Sequence, residues 1–288
     1  MRTIQTMFFL LIIGCVSKSD ENKVVKIEKR IFDLNIPEQK TEFDLWVSKN
    51  IIEVPNDTTS KKYESTKELK FREGKFGSVK CSFEDSNFEV YSNCGGEFGG
   101  SFYFVDKKSP DKIYYLSITC PKMIDFQNGK YFLTQTLAHM SGSAGVGVLS
   151  DPRILPIISK ENIFTDEPFV SESTIETILD TFGLTANVFY PYKGKAFLVY
   201  SENDTTYLGE ISDRKIINRE PILNHGTWSY YDELNRIKNG IYISDINHVS
   251  TSIDRDLETT EAVTGAIYFK RDTIVLGYKY NKTITKSE

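Results

Sequence analysis

The feature that most constrains the fold is a degenerate internal repeat carried by strand-like alternation. Gly129-Lys130-Tyr131-Phe132-Leu133 is echoed by Gly194-Lys195-Ala196-Phe197-Leu198. Each has a matching second half, Leu149-Ser150-Asp151-Pro152-Arg153-Ile154 and Ile211-Ser212-Asp213-Arg214-Lys215-Ile216. A weaker third copy opens at Asn239-Gly240-Ile241-Tyr242-Ile243. The first two glycines are 65 residues apart and the next pair 46. Short alternating runs begin near residue 76, with Val79 to Phe83 and Phe88 to Tyr91 separated by the turn Glu84 to Asn87. Alternation at a period of two puts one face of each run against a core and the other toward water. The chain carries 16 Tyr and 19 Phe, and ring-rich, β-branched stretches fit a pleated sheet better than a helix.

The unit reads as four strands, near 123–127, 131–137, 145–150 and 154–158 in the first copy. In the second copy they fall near 187–192, 196–200, 206–211 and 215–222. The longer first interval calls for an inserted helix. Ser173 is the expected N-cap, Glu176 completes a capping box, and Ile175, Ile178, Leu179 and Phe182 mark one face before Gly183 stops it. Removing that helix and its loops leaves roughly 45 residues, inside the period of about 40–50 expected of a four-stranded blade. The pattern resembles a β-propeller, a ring of such sheets with few free edges. The expected class is all-β, propeller-like with four or five blades and one short helical insertion; a β-sandwich is the alternative.

Ahead of the repeats, Arg2 and the apolar run Met7 to Leu10 lead into Leu11-Ile12-Ile13-Gly14-Cys15. A charged start, a short apolar core and a small residue describe a secretory signal, and the run is too short to span a bilayer. Apolar-apolar-Gly-Cys resembles the lipobox of bacterial lipoproteins. The resemblance implies that Cys15 is acylated by palmitate-type chains, becomes the mature N-terminus and makes the membrane the first partner. Each buried CH₂ contributes about 0.8 kcal/mol, so two or more chains anchor stably. Ser19-Asp20-Glu21 is similar to a surface-export tag, which points to the outer membrane and its outer face. The expected organisation is a signal peptide over 1–14, a polar tether over 15–30, a mixed segment over 31–75 and the propeller-like domain over 76–281. In the mixed segment Thr41 is expected to cap a short helix.

A formal net charge of −5 argues against a nucleic-acid partner. With Cys15 lipidated, Cys81, Cys94 and Cys120 remain, so at most one intramolecular disulfide forms. Cys94–Cys120 is the pairing expected, because each ends a strand and the hairpin between them brings those ends together. Cys81 sits mid-strand as a small hydrophobe. No Cys/His spacing suggests zinc, and neither a cofactor nor a metal is expected.

No nucleophile–base or paired-carboxylate motif stands out, so no catalytic residue is assigned. The candidate ligand face combines the rare histidines His139 and His225, the glycine-dense turn at Gly95 and Gly96, and the aromatics Trp228 and Tyr230. Glycines admit close backbone approach, and rings offer flat apolar surface with a polar edge. Asp254, Asp256, Glu258 and Glu261 are expected in one solvated acidic loop. The expected function is a non-enzymatic binding or interaction module whose partner is an envelope protein, peptide or glycan. The alternatives are an envelope hydrolase or lyase acting on glycan or peptide, and a structural accessory lipoprotein.

Overall fold

A computed structural model describes residues 25–50, 68–70, 78–96, 99–138, 142–158, 174–227, 236–238, 241–254 and 257–286. The chain opens with β1 (Glu28–Asp33) and α1 (Pro37–Asn50). A first sheet is built from β2 (Glu68–Lys70), β3 (Ser78–Glu84), β4 (Phe88–Cys94), β5 (Gly100–Asp106) and β6 (Ile113–Ile118). A second follows with β7 (Pro121–Gln127), β8 (Lys130–Leu137) and β9 (Ser143–Leu149). The short β10 (Ile157–Ile158) returns to pair with β6, and β11 (Glu176–Phe182) completes the second sheet beside β9. The third sheet is the meander β12 (Thr185–Tyr192), β13 (Lys195–Glu202), β14 (Thr205–Ser212) and β15 (Lys215–Leu223). The fourth holds β16 (Arg236–Lys238), β17 (Ile241–Asp254), β18 (Leu257–Lys270) and β19 (Thr273–Lys286), with β1 added in parallel to β19. The described residues are therefore all-β apart from α1 and a 3-10 turn at Pro152–Ile154.

The repeat has a direct structural meaning. Gly129 and Gly194 both sit in the tight turn between the first and second strands of their sheets. Asn128-Gly129 has φ 51° and 77°, and Lys193-Gly194 has 49° and 75°. Two consecutive positive φ values define the hairpin turn whose twist matches the strands, and glycine takes the second place without a Cβ clash. Phe132 and Phe197 then occupy the same register, and each faces the next sheet. The Phe132 ring stacks on Phe189 of the third sheet at 5.7 Å. Phe197 lies directly opposite Tyr190, which packs on Tyr242 and Phe269 of the fourth sheet. Tyr131, one residue from Phe132 and so on the opposite face, packs edge-on against Phe88 and Phe104 of the first sheet. The sheets thus stack face to face in chain order. The third is covered on both sides, which is why Val188, Phe189, Leu198, Val199 and Tyr200 are all fully buried. Such a strand reads as a continuous apolar run, not as alternation.

Two devices tie the ends. β1 pairs with β19 from Glu28↔Thr273 to Asp33↔Tyr278. The helix α1 lies on the same sheet through Phe43, which meets Phe32 and Tyr268 at 5.8 and 5.9 Å. Cys94, which ends β4, and Cys120, in the link between β6 and β7, are joined with Cα atoms 4.9 Å apart, the pairing expected. Gly100 sits directly beneath. A Cβ there would meet Asn93 O at 2.6 Å and Pro121 Cδ at 2.7 Å, so the glycine is required by contact. Cys81 lies in β3, where its thiol donates to Phe83 O.

Several expectations are corrected. The expected helical insertion is not a helix from Glu176 on, and its expected N-cap, Ser173, lies outside the described residues. Glu176–Phe182 is the outer strand of the second sheet, with a bulge between Thr177 and Leu179. The extra residue breaks strict alternation, so the apolar spacing imitates a helical face while Thr177, Ile178 and Thr181 favour a strand. Phe182, assigned to the buried face, is 77% exposed. The expected fourth strand at 154–158 is a 3-10 turn capped by the Asp151 carboxylate, followed by a two-residue pairing with the neighbouring sheet. The helix α1 begins at Pro37, not at Thr41, whose hydroxyl instead donates to Pro37 O. Glu28 to Arg30, expected in the tether, form the first half of β1, and the last strand runs to Lys286. Glu258 and Glu261, expected in a loop, are strand residues of β18, and Asp254 ends β17. Asp256 lies outside the described residues.

Candidate functional site

The strongest candidate is a cleft of about 400 Å³ where β7 and β12 end and β17 begins. β7 supplies Asp125, Phe126 and Gln127; β12 supplies Tyr190, Pro191 and Tyr192, followed by Lys193 in the turn; β17 supplies Tyr242. Asp125 and Tyr190 stand four residues before Gly129 and Gly194, so the repeat itself places them side by side. Tight hairpin turns fix both strand ends, which makes this rim a rigid mount.

Asp125 is 5% exposed. Its Oδ1 accepts the Phe126 N–H at 2.8 Å, and its Oδ2 accepts Gln127 Nε2–H at 2.9 Å and the Tyr242 hydroxyl. Gln127 Nε2 also donates to the Tyr242 oxygen. Burial raises the Asp125 pKa, and the hydrogen bonds from Tyr242, Phe126 and Gln127 only partly offset it. Tyr190 is pushed up to about 12, first by burial and then by Tyr192. Burial and the Asp125 charge push Tyr242 far above the usual phenol range. Both hydroxyls therefore stay protonated at neutral pH, and that of Tyr242 donates to Asp125. The rings form a corner: Tyr190 meets Tyr242 edge-on at 4.7 Å and 79°, and lies parallel to Tyr192 at 5.7 Å and to Phe269 at 4.5 Å. Lys193 Nζ rests 5.0 Å from the Tyr192 ring centroid. A concave apolar surface with convergent polar atoms is the usual form of a ligand site.

A second cleft, of about 290 Å³, lies between β15 and the β1–β19 pair. His225 lines it with Ile31, Pro221, Ile222, Leu223, Asn224 and Tyr278. The imidazole stacks on Tyr280 at 4.3 Å. Nearby His248 is pulled below its ordinary pKa by burial and by His225, against the opposing pull of Asp204. Two of the three histidines therefore neighbour each other. Among the described residues no group of three or more His, Cys, Asp or Glu is placed to hold a metal ion.

Of the residues expected on one ligand face, His139, Trp228 and Tyr230 lie outside the described residues, as does Cys15. Gly95 and Gly96 belong to the β4–β5 connection. There Gly95 N–H donates to Gly99 O at 2.6 Å and Gly99 N–H to Gly96 O at 3.1 Å. They line neither cleft. Sequence reasoning missed every residue of the larger cleft. The available signal was positional: a carboxylate and a Tyr-Pro-Tyr-Lys run at equivalent places before two equivalent glycines. No helix among the described residues is long and apolar enough to cross a membrane. Neither a protein-family model nor a curated protein sequence matches the chain.

Proposed function

We propose that this chain is a lipid-anchored binding module of the bacterial cell envelope, acylated at Cys15 and held at the outer membrane. The partner is an envelope protein, peptide or glycan taken up in the Asp125 cleft. That cleft is the observation that carries the reading: a buried carboxylate at the floor of an aromatic corner, mounted on rigid strand ends. The Cys94–Cys120 bond supports an oxidising destination, since such bridges persist outside the cytosol. The sheets are read as blades of a propeller-like ring. In favour stand the equivalent meanders, the facing of Phe132 and Phe197 toward successive sheets, and the contacts of β12 with β7, β8 and β9 on one side and β17 on the other. Addition of β1 to the last sheet is the kind of terminal closure a ring uses.

Three measurements test this. Cys15→Ala should abolish fatty-acid labelling and release the protein from membranes; a mutant that partitions like wild type removes the anchor. Small-angle scattering should give the profile of a ring, whereas that of an elongated stack of sheets removes the propeller. A glycan and peptide screen on the detergent-solubilised full chain should yield a hit that Asp125→Asn weakens. A hit indifferent to that substitution moves the site elsewhere.

A further inference from the structure

We propose that the Asp125 cleft recognises a primary ammonium group, presented as a lysine side chain of a peptide or protein partner. The inference rests on the cleft being the binding site and adds the chemical class of what enters it. The first ground is charge. All three donors to Asp125 are neutral: a backbone N–H, an amide and a phenol. None of the ion pairs among the described residues includes it. A carboxylate offers about four lone-pair positions, and three are used, leaving one on Oδ1 for a donor from the cleft. A primary ammonium brings both a donor and the missing charge; a hydroxyl brings the donor alone. Burial already makes the Asp125 charge hard to hold, and a cation beside it offsets that penalty.

The second ground is shape. Tyr190 and Tyr242 are only 4% and 3% exposed, turned into each other and onto Phe269, so neither offers the open ring face a pyranose needs. The most accessible ring of the cleft is Phe126, 38% exposed, which suits the methylene stem of a lysine. The half-buried Tyr192 at the rim is the tyrosine that draws a cation through its ring quadrupole. The molecule makes that contact itself, since Lys193 seats its ammonium over Tyr192 at the rim. Lys193 is exposed, so its charge is screened by solvent, whereas the Asp125 charge beneath is not. The floor, not the rim, sets the sign of the field.

The test is calorimetric titration of the full chain in detergent with four probes: N-acetyl-lysine methylamide, its uncharged norleucine counterpart, choline and methyl glucoside. The lysine derivative should bind, and the norleucine compound should bind at least about tenfold more weakly, in line with a charge-assisted hydrogen bond. Asp125→Asn should weaken the lysine derivative by a similar factor while the thermal melt shows a folded protein. Tyr192→Leu should weaken it less. Lys193→Ala should tighten it by about twofold to fivefold, the range of an exposed charge contact. Equal binding of the lysine and norleucine compounds overturns the proposal. Choline binding above lysine overturns the peptide source and assigns the corner to a quaternary ammonium headgroup. Glucoside binding alone overturns the ammonium class yet leaves the cleft as the binding site. Binding by none of the four overturns the inference, and only an empty glycan and peptide screen as well removes the site.

Discussion

Removing the Cys94–Cys120 bridge is the perturbation whose size follows most directly from the structure. The two cysteines are 26 residues apart in sequence, and the segment between them holds β5, β6 and both their turns. Closing a loop of about 26 residues removes about 12 cal/mol/K from the unfolded chain, or about 3.5 kcal/mol at 25 °C. Cys120 is 1% exposed, so alanine, which keeps the Cβ and adds no polar group, is the right replacement. Cys94→Ala/Cys120→Ala, built in a Cys81→Ala background to prevent thiol exchange, should lose about 3.5 kcal/mol in urea unfolding against that background. For a chain of this size each kcal/mol moves the melting temperature by about 2–4 °C, so the midpoint should fall by about 7–14 °C. The same drop should appear when the parent is melted with a reductant, and the double mutant should not respond to it. A loss below about 1 kcal/mol would refute the reasoning, because it would mean that the bridge constrains nothing the sheet does not already constrain.

Phe197→Ala should cost about 3–5 kcal/mol, the range for a ring lost from a well-packed core, while Ile217→Ala on the exposed face of β15 should cost under about 0.5 kcal/mol in the same unfolding assay. Gly100→Ala should cost about 1–3 kcal/mol through the clash with Asn93 O and Pro121 Cδ, and equal stability would mean that the backbone there gives way freely. Asp125 carries a folded-state pKa raised above its unfolded value, so the folded protein holds that proton more tightly. Its contribution is full below the ordinary carboxylate pKa of about 3.9 and is lost as pH rises through the raised value, at about 1.4 kcal/mol for every pH unit that separates the two. Melts of Asp125→Asn against wild type across that window should therefore show the mutant gaining on wild type as pH rises, and parallel curves would contradict the burial argument.

The third sheet is the most legible part of the fold, and the reason is local. Its turns carry Lys193-Gly194, Asn203-Asp204 and Asp213-Arg214, where positive φ is favoured or tolerated, and each strand runs from one turn to the next even though the β12–β13 and β14–β15 pairings carry register shifts. Expected strands at 187–192, 196–200, 206–211 and 215–222 fall inside β12 to β15. The disulfide is legible for a similar reason, since Cys94 ends β4 and Cys120 lies just past the end of β6. Misreading begins where a shift in pairing happens to leave apolar residues at helical spacing. The bulge in β11 shifts the phase of Ile178 and Leu179, and a shifted period of two is hard to tell from one of 3.6 over seven residues. Parallel addition of β1 to β19 joins residues more than two hundred positions apart, and no local signal announces such a pairing. The cleft escapes for a deeper reason. Asp125 and Tyr190 are equivalent positions in two repeats, yet one is a carboxylate and the other a ring. Reading repeats means looking for what the copies share, whereas this site is made where they differ. The shared features set the backbone, the turn and the direction of each side chain. The difference then sets a charge against an aromatic wall at a place the common scaffold has already fixed. In a degenerate repeat, the aligned positions just before the shared turn that change chemical class are therefore the ones to examine first for a ligand.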